Sequence, residues 1–117
     1  MLSTDELTDL IIAALEELKA INIQVLDVRE LTSITDVMII ASGRSNRQVK
    51  SLSEKVQERV KAAGIPLLGI EGQQDAEWIL VDAGDVIVHI MQPSVRTYYQ
   101  LEKLWDAREI EKESSSV

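Results

Sequence analysis

The stretch 78–91, WILVDAGDVIVHIM, constrains the fold more than any other part of the chain. Two runs of β-branched and aliphatic residues, 78–83 and 86–91, alternate around Ala83-Gly84 and predict a β-hairpin. If Asp82 pairs with Asp85 across a two-residue turn, Trp78 faces His89 and Leu80 faces Ile87 on one side of the sheet. Ile79, Val81, Val86, Val88 and Ile90 then share the other side. A wider loop over 82–85 keeps the same alternation within each strand. The second set is purely aliphatic and is expected to meet a core. The first set is mixed and is the candidate for solvent or a partner.

The remaining elements follow from periodicity. Residues 4–20 place Leu7, Leu10, Ile11, Ala14, Leu15 and Leu18 at helical spacing, with Ser3 and Glu6 as a capping box. Residues 23–28 predict a strand, 29–35 a polar connection, and the unbroken apolar run 37–41 an interior strand covered on both faces. In 42–48, SGRSNRQ, Gly43 is free to take a positive φ, and Ser45 with Gln48 repeats the capping-box pattern. The helix that follows aligns Val49, Leu52, Val56, Val60 and Ala63, and it stops at Gly64 and Pro66. Residues 67–70 predict a short strand and 71–77 a polar loop. A last helix is expected from about Ser94 to about Arg108, with Val95, Tyr98, Leu101 and Trp105 on one stripe. The order α, β, β, α, β, β, β, α predicts an α/β (α+β) domain: one mixed sheet of about five strands with packed helices. The domain is expected to span 1–108, followed by a polar, disordered tail at 109–117.

Composition narrows the chemistry. The 117 residues contain no cysteine, which removes disulfide frameworks, thiolate nucleophiles and cysteine zinc sites. With 12 basic and 20 acidic residues the net charge is −8, so a phosphate backbone is repelled and a basic protein is the natural complement. Direct DNA binding is not expected. No apolar run reaches the ~20 residues that span a bilayer, and the N-terminus lacks the charge and apolar pattern of a signal peptide. A cytoplasmic protein is expected.

Asp82 and Asp85 could bind a divalent cation or act as acid and base, but Asp and Gly are ordinary turn residues. His89, the only histidine, has no nucleophile beside it in a recognisable motif. Gly43 to Ser45 could cradle a phosphate at a helix start, yet a helix cap explains them fully. No catalytic, metal or cofactor site is assigned. The aromatic residues point elsewhere: Trp78, Tyr98, Tyr99 and Trp105 are the only four, and all lie in the last two fifths of the chain. Trp and Tyr are enriched among interface hot spots, so a protein interface is the favoured role.

The block 77–107, EWILVDAGDVIVHIMQPSVRTYYQLEKLWDA, closely resembles the signature of the ribosomal silencing factor family, also called the Iojap family. Trp78, Leu80, Asp82, Gly84, Asp85, Val88, His89, Arg96, Tyr98, Tyr99, Leu101, Glu102, Leu104 and Trp105 carry it, joined by Gly43, Ser45, Gln48, Glu71 and Gly72. One departure falls at Val37 and Met38, aliphatic where the family pattern has two aromatics. The resemblance implies a nucleotidyltransferase-like fold without its catalytic carboxylates, since Arg44, Asn46 and Arg47 occupy that region. It further implies a non-enzymatic homodimer that binds the large ribosomal subunit through its fourteenth protein and blocks subunit joining. Trp78, Leu80 and Asp82, helped by Met91, Arg96 and Tyr99, are the expected contact residues. Two other readings are a nucleotide-binding or nucleotidyl-transferring enzyme using Gly43 to Ser45 with Asp82 and Asp85, and an adaptor dimer with no ribosomal role.

Overall fold

Burial on both faces decides where each strand sits. Residues 37–42 and 86–91 are buried at every position, which places them side by side at the centre of the sheet. The computed structural model describes residues 2–104. Its elements are α1 (Thr4–Glu17), β1 (Ile21–Asp27), β2 (Val37–Ser42), α2 (Asn46–Ala62), β3 (Gly69–Glu71), β4 (Trp78–Asp82), β5 (Val86–Met91), α3 (Pro93–Tyr99) and α4 (Leu101–Leu104). The strands form one sheet in the order β1-β2-β5-β4-β3, parallel between β2 and β5 and antiparallel elsewhere. The α/β order and the mixed five-stranded sheet match the sequence expectation. The expected tail, 109–117, lies outside the described residues. Among the described residues no helix is long and apolar enough to cross a membrane.

Helices α1 and α2 cover one sheet face. Leu7, Ile11, Ala14 and Leu15 of α1 and Val49, Leu52, Val56 and Val60 of α2 meet Ile39, Ile79, Val81, Val86, Val88 and Ile90. The aliphatic side of the hairpin is therefore the core side, as its composition required. The Ser3–Glu6 capping box forms with both hydrogen bonds. The second one does not. Ser45 Oγ accepts from the Gln48 amide at 3.1 Å, but the Gln48 side chain accepts from the Arg44 amide instead, at 2.7 Å. Its Nε2 donates to the Leu18 and Lys19 carbonyls, so Gln48 ties the start of α2 to the end of α1. Gly43 also departs from expectation. It does not use a positive φ; a Cβ there would press on Val49 at 3.0 Å, so glycine is needed for the close approach of β2 to α2.

The hairpin closes one residue later than the Ala83-Gly84 turn, inside the stretch 82–85 that the wider loop allowed. Ala83 donates to the Val86 carbonyl, and Gly84-Asp85 makes the turn, with Gly84 at φ 86°. A two-residue turn needs positive φ at its first central position, which Gly84 supplies and Ala83 resists. Asp82 thus pairs with Ile87 rather than Asp85, Leu80 with His89, and Trp78 with Met91. The slip moves every partner by two residues, so each side chain keeps its face.

The final helix is broken. α3 ends at Tyr99, Gln100 takes a left-handed conformation (φ 47°, ψ 48°), and α4 resumes at Leu101. The expected continuation to Arg108, including Trp105, lies outside the described residues. α3 and α4 fold back over the second sheet face, where Val95 and Leu101 pack with Met38, Ile40, Met91 and Trp78. Tyr98 does not join this stripe and is 81% exposed. The short third strand begins at Gly69, not 67.

Gly72, at φ 86°, lies directly against β4: a Cβ there would sit 2.0 Å from the Trp78 carbonyl oxygen. Gly64, at φ 80°, has open space around it. Gly64→Ala should cost about 1 kcal/mol of unfolding free energy, the backbone strain alone. Gly72→Ala should cost about 3 kcal/mol or more, because a backbone clash is added. Urea denaturation of the two variants checks this; equal losses would contradict it.

Candidate functional site

Four rings run in sequence across the outer sheet face. His89 is buried at 5% exposure on β5; Trp78 lies beside it on β4, its Nε1 donating to His89 Nδ1 at 2.8 Å. The Trp78 ring meets Tyr99 of α3 at 5.2 Å between centroids, and Tyr99 meets Tyr98 edge-on at 4.9 Å. Exposure rises along the row to 55% at Tyr99 and 81% at Tyr98. Tilted and edge-on pairs at these separations add about 0.5–1.5 kcal/mol each beyond area burial. The inner end is thus anchored and the outer end is open. Because His89 Nδ1 accepts, its proton sits on Nε2 and the ring is neutral. Burial pushes its pKa down to about 4.

The six candidate contact residues divide. Trp78, Leu80 and Asp82 are half-buried on alternate positions of β4 and open onto the outer face together. Tyr99 joins them through its ring contact with Trp78. Asp82 Oδ1 accepts from the Gly84 amide at 2.9 Å, which holds its carboxylate at the hairpin turn. Met91 does not belong to the open surface: it is fully buried, paired with Trp78 across the strands and clustered with Val95 of α3 and Leu101 of α4. Arg96 points away from β4. Its guanidinium donates to the Asn22 carbonyl at 2.6 Å and to Ser42 Oγ at 3.1 Å, pinning α3 to the β1 side of the sheet. Both therefore position the patch from beneath or beside it.

One feature of this face was not read from the sequence. The β1–β2 connection, expected to be merely polar, carries Ile34, 74% exposed. With Thr32, Thr35, Met38, Leu80, Ile87, His89 and Leu101 it lines an apolar trough of about 210 Å³. The aliphatic residues Leu31 and Ile34 inside a loop of threonine, serine and charge were the available signal.

The elements of a nucleotide site do not converge. Gly43 is bonded to the Met91 carbonyl at one end of β5, whereas Asp85 precedes the other end at Val86. The six steps from Asp85 to Met91 span roughly 20 Å along the strand. Among the described residues, no group of three or more His, Asp or Glu is placed to hold a metal ion.

Fold and patch define a class: a single-sheet α/β domain with two long helices on one face and, on the other, two short helices beside a ring-anchored surface left half open. The ribosomal silencing factor family model, described as ribosomal silencing factor during starvation, matches residues 2–117. The chain is 52% identical to a ribosomal silencing factor RsfS of Chromobacterium violaceum, over 86% of this chain and 82% of the relative. It is 46% identical to one of Haemophilus influenzae, over 85% of this chain and 97% of the relative. A crystal structure of a Chromobacterium violaceum protein superposes with a TM-score of 0.88 at 50% identity, covering 89% of this chain and 87% of that one. The chain belongs to the ribosomal silencing factor family.

His89 is the sole imidazole, so its titration can be followed without ambiguity. Its folded pKa of about 4 lies below the ordinary value, so the unfolded chain takes up the proton first as pH falls. The stability tied to neutral His89 is fully present above pH ~6.5. It is lost as the pH falls to about 4, a change of about 3 kcal/mol. NMR of the imidazole should show the neutral Nε2–H form persisting at pH 5.5. A midpoint between 6 and 7 would contradict the buried, hydrogen-bonded placement.

Proposed function

We propose that this protein binds the large ribosomal subunit at its intersubunit face, through the fourteenth large-subunit protein, and keeps the small subunit from joining. Translation then falls when nutrients are short. The observation that carries this is the outer face of β4: Trp78, Leu80 and Asp82 side by side, half-exposed and anchored from within by His89. An apolar centre with a carboxylate at its rim is the anatomy of a docking surface for a basic protein. The net charge of −8 assists the encounter. The names of its relatives, ribosomal silencing factors, support a ribosomal role.

The mechanism is occupancy. A bound body fills space that the other subunit requires, so affinity is sufficient and no covalent step is involved. A standard interface of ~800 Å² per partner supplies such affinity. Acting on free subunits, the protein works in the cytoplasm, not as an enzyme. We infer a homodimer as the working unit; Val25 on the β1 edge, 44% exposed, leaves apolar surface away from the Trp78 patch for a second contact.

Trp78→Ala removes the central anchor. It should weaken binding to purified large subunits by about 2 kcal/mol or more, roughly thirtyfold in Kd. Sucrose-gradient sedimentation with large subunits reads this directly, alongside circular dichroism to verify folding. A folded variant that co-sediments as well as wild type would overturn the assignment of Trp78.

A further inference from the structure

The apolar trough beside Trp78 shares only Leu80 with the residues expected to make contact. Its floor is Met38, Leu80, Ile87 and His89; Leu101 of α4 closes one side and Ile34 the other. Ile34 is 74% exposed, an aliphatic side chain that contributes little to the fold. Its backbone is held independently, the Ile34 amide donating to Thr32 Oγ1 at 3.1 Å. The volume of about 210 Å³ is smaller than the roughly 300–1,000 Å³ of small-molecule pockets. That size suits a side chain, not a cofactor.

The charge around it narrows the occupant. Strands β3, β4 and β5 carry Glu71 and Asp82 and not one Lys or Arg. Glu71 stands directly across from Leu80, and Asp82 lies two residues along β4, on the same face. An apolar hole with Asp82 paired beside its Ile87 wall, and Glu71 one strand beyond Leu80, favours an apolar side chain presented by a cationic backbone segment.

We propose that this trough is a specificity pocket that receives one aliphatic or aromatic side chain from a Lys- or Arg-bearing segment of the ribosomal partner, with Ile34 as its outer wall. The inference rests on the docking proposed above and extends that surface across β5 to the β1–β2 connection. Trp78 anchors one side of the contact and the trough selects the residue at the other. Ile34 is thus a binding residue with no structural duty.

Ile34→Ser and Ile34→Leu, compared with wild type and Trp78→Ala, separate the possibilities. Each is measured for affinity to purified large subunits, thermal midpoint and mass in solution. Ile34→Ser should keep the wild-type midpoint and mass yet weaken binding by about tenfold, and Ile34→Leu should restore it. Wild-type affinity in Ile34→Ser, while Trp78→Ala is impaired, would overturn the trough and leave the docking intact. Wild-type affinity in both would overturn the docking itself. A change of mass in Ile34→Ser would assign the trough to a contact between copies of the chain and equally overturn the proposal.

Discussion

The hydrogen bond from the Trp78 indole to the buried imidazole of His89 is the interaction on which the functional face depends. It fixes an amphipathic ring at the boundary between core and solvent. A neutral imidazole is the acceptor, and burial keeps it neutral across the physiological range. Trp78 in turn supports Tyr99, and Tyr99 supports Tyr98. If this face is the docking surface proposed above, its rings are ordered before any partner arrives. Such preorganisation removes much of the entropic cost of binding.

The rest of the architecture exposes that surface without letting it collapse. A five-stranded sheet with apolar residues on both faces needs cover on both, and here the cover is unequal. α1 and α2 bury the central strands of one face and leave Val25 on the β1 edge partly exposed. On the other, α3 and α4 pack chiefly over the β1–β2–β5 side, through Val95, Leu101 and the Arg96 clamp on the Asn22 carbonyl, and Tyr99 reaches as far as the Trp78 ring on β4. Burial consequently falls from β5 to β4: His89 and Met91 are enclosed, Trp78 and Leu80 are not. The half-open strip is a consequence of how far a short, broken helix extends.

Period-two and period-3.6 patterns made the elements, the core face of the hairpin and the ring-bearing face legible in the sequence. Faces survived even where pairing was misjudged, because a slip of two residues cannot exchange them. The pairing itself depended on whether Ala83 or Gly84 opens the turn, a difference in backbone freedom that periodicity does not report. The break at Gln100 was hidden for a similar reason: glutamine is a good helix former, so its residue type does not announce the left-handed conformation that ends α3. Arg96 carried the family pattern and Met91 closed the hairpin's second run, yet tertiary packing buries Met91 and bonds Arg96 toward β1. Ile34 was passed over because two aliphatic residues in a polar loop, Leu31 and Ile34, form no strand or helix period long enough to single one out.

A protein that acts by occupancy must be needed in proportion to what it blocks. Light scattering during association of purified subunits, titrated with this protein, tests that requirement most directly. Joining should fall linearly and level off near one functional unit per large subunit, and it should recover when the protein is diluted away. Inhibition by a small fraction of one equivalent, or inhibition that persists after the protein is removed, would mean that something on the ribosome had been chemically changed, and would contradict a purely steric role.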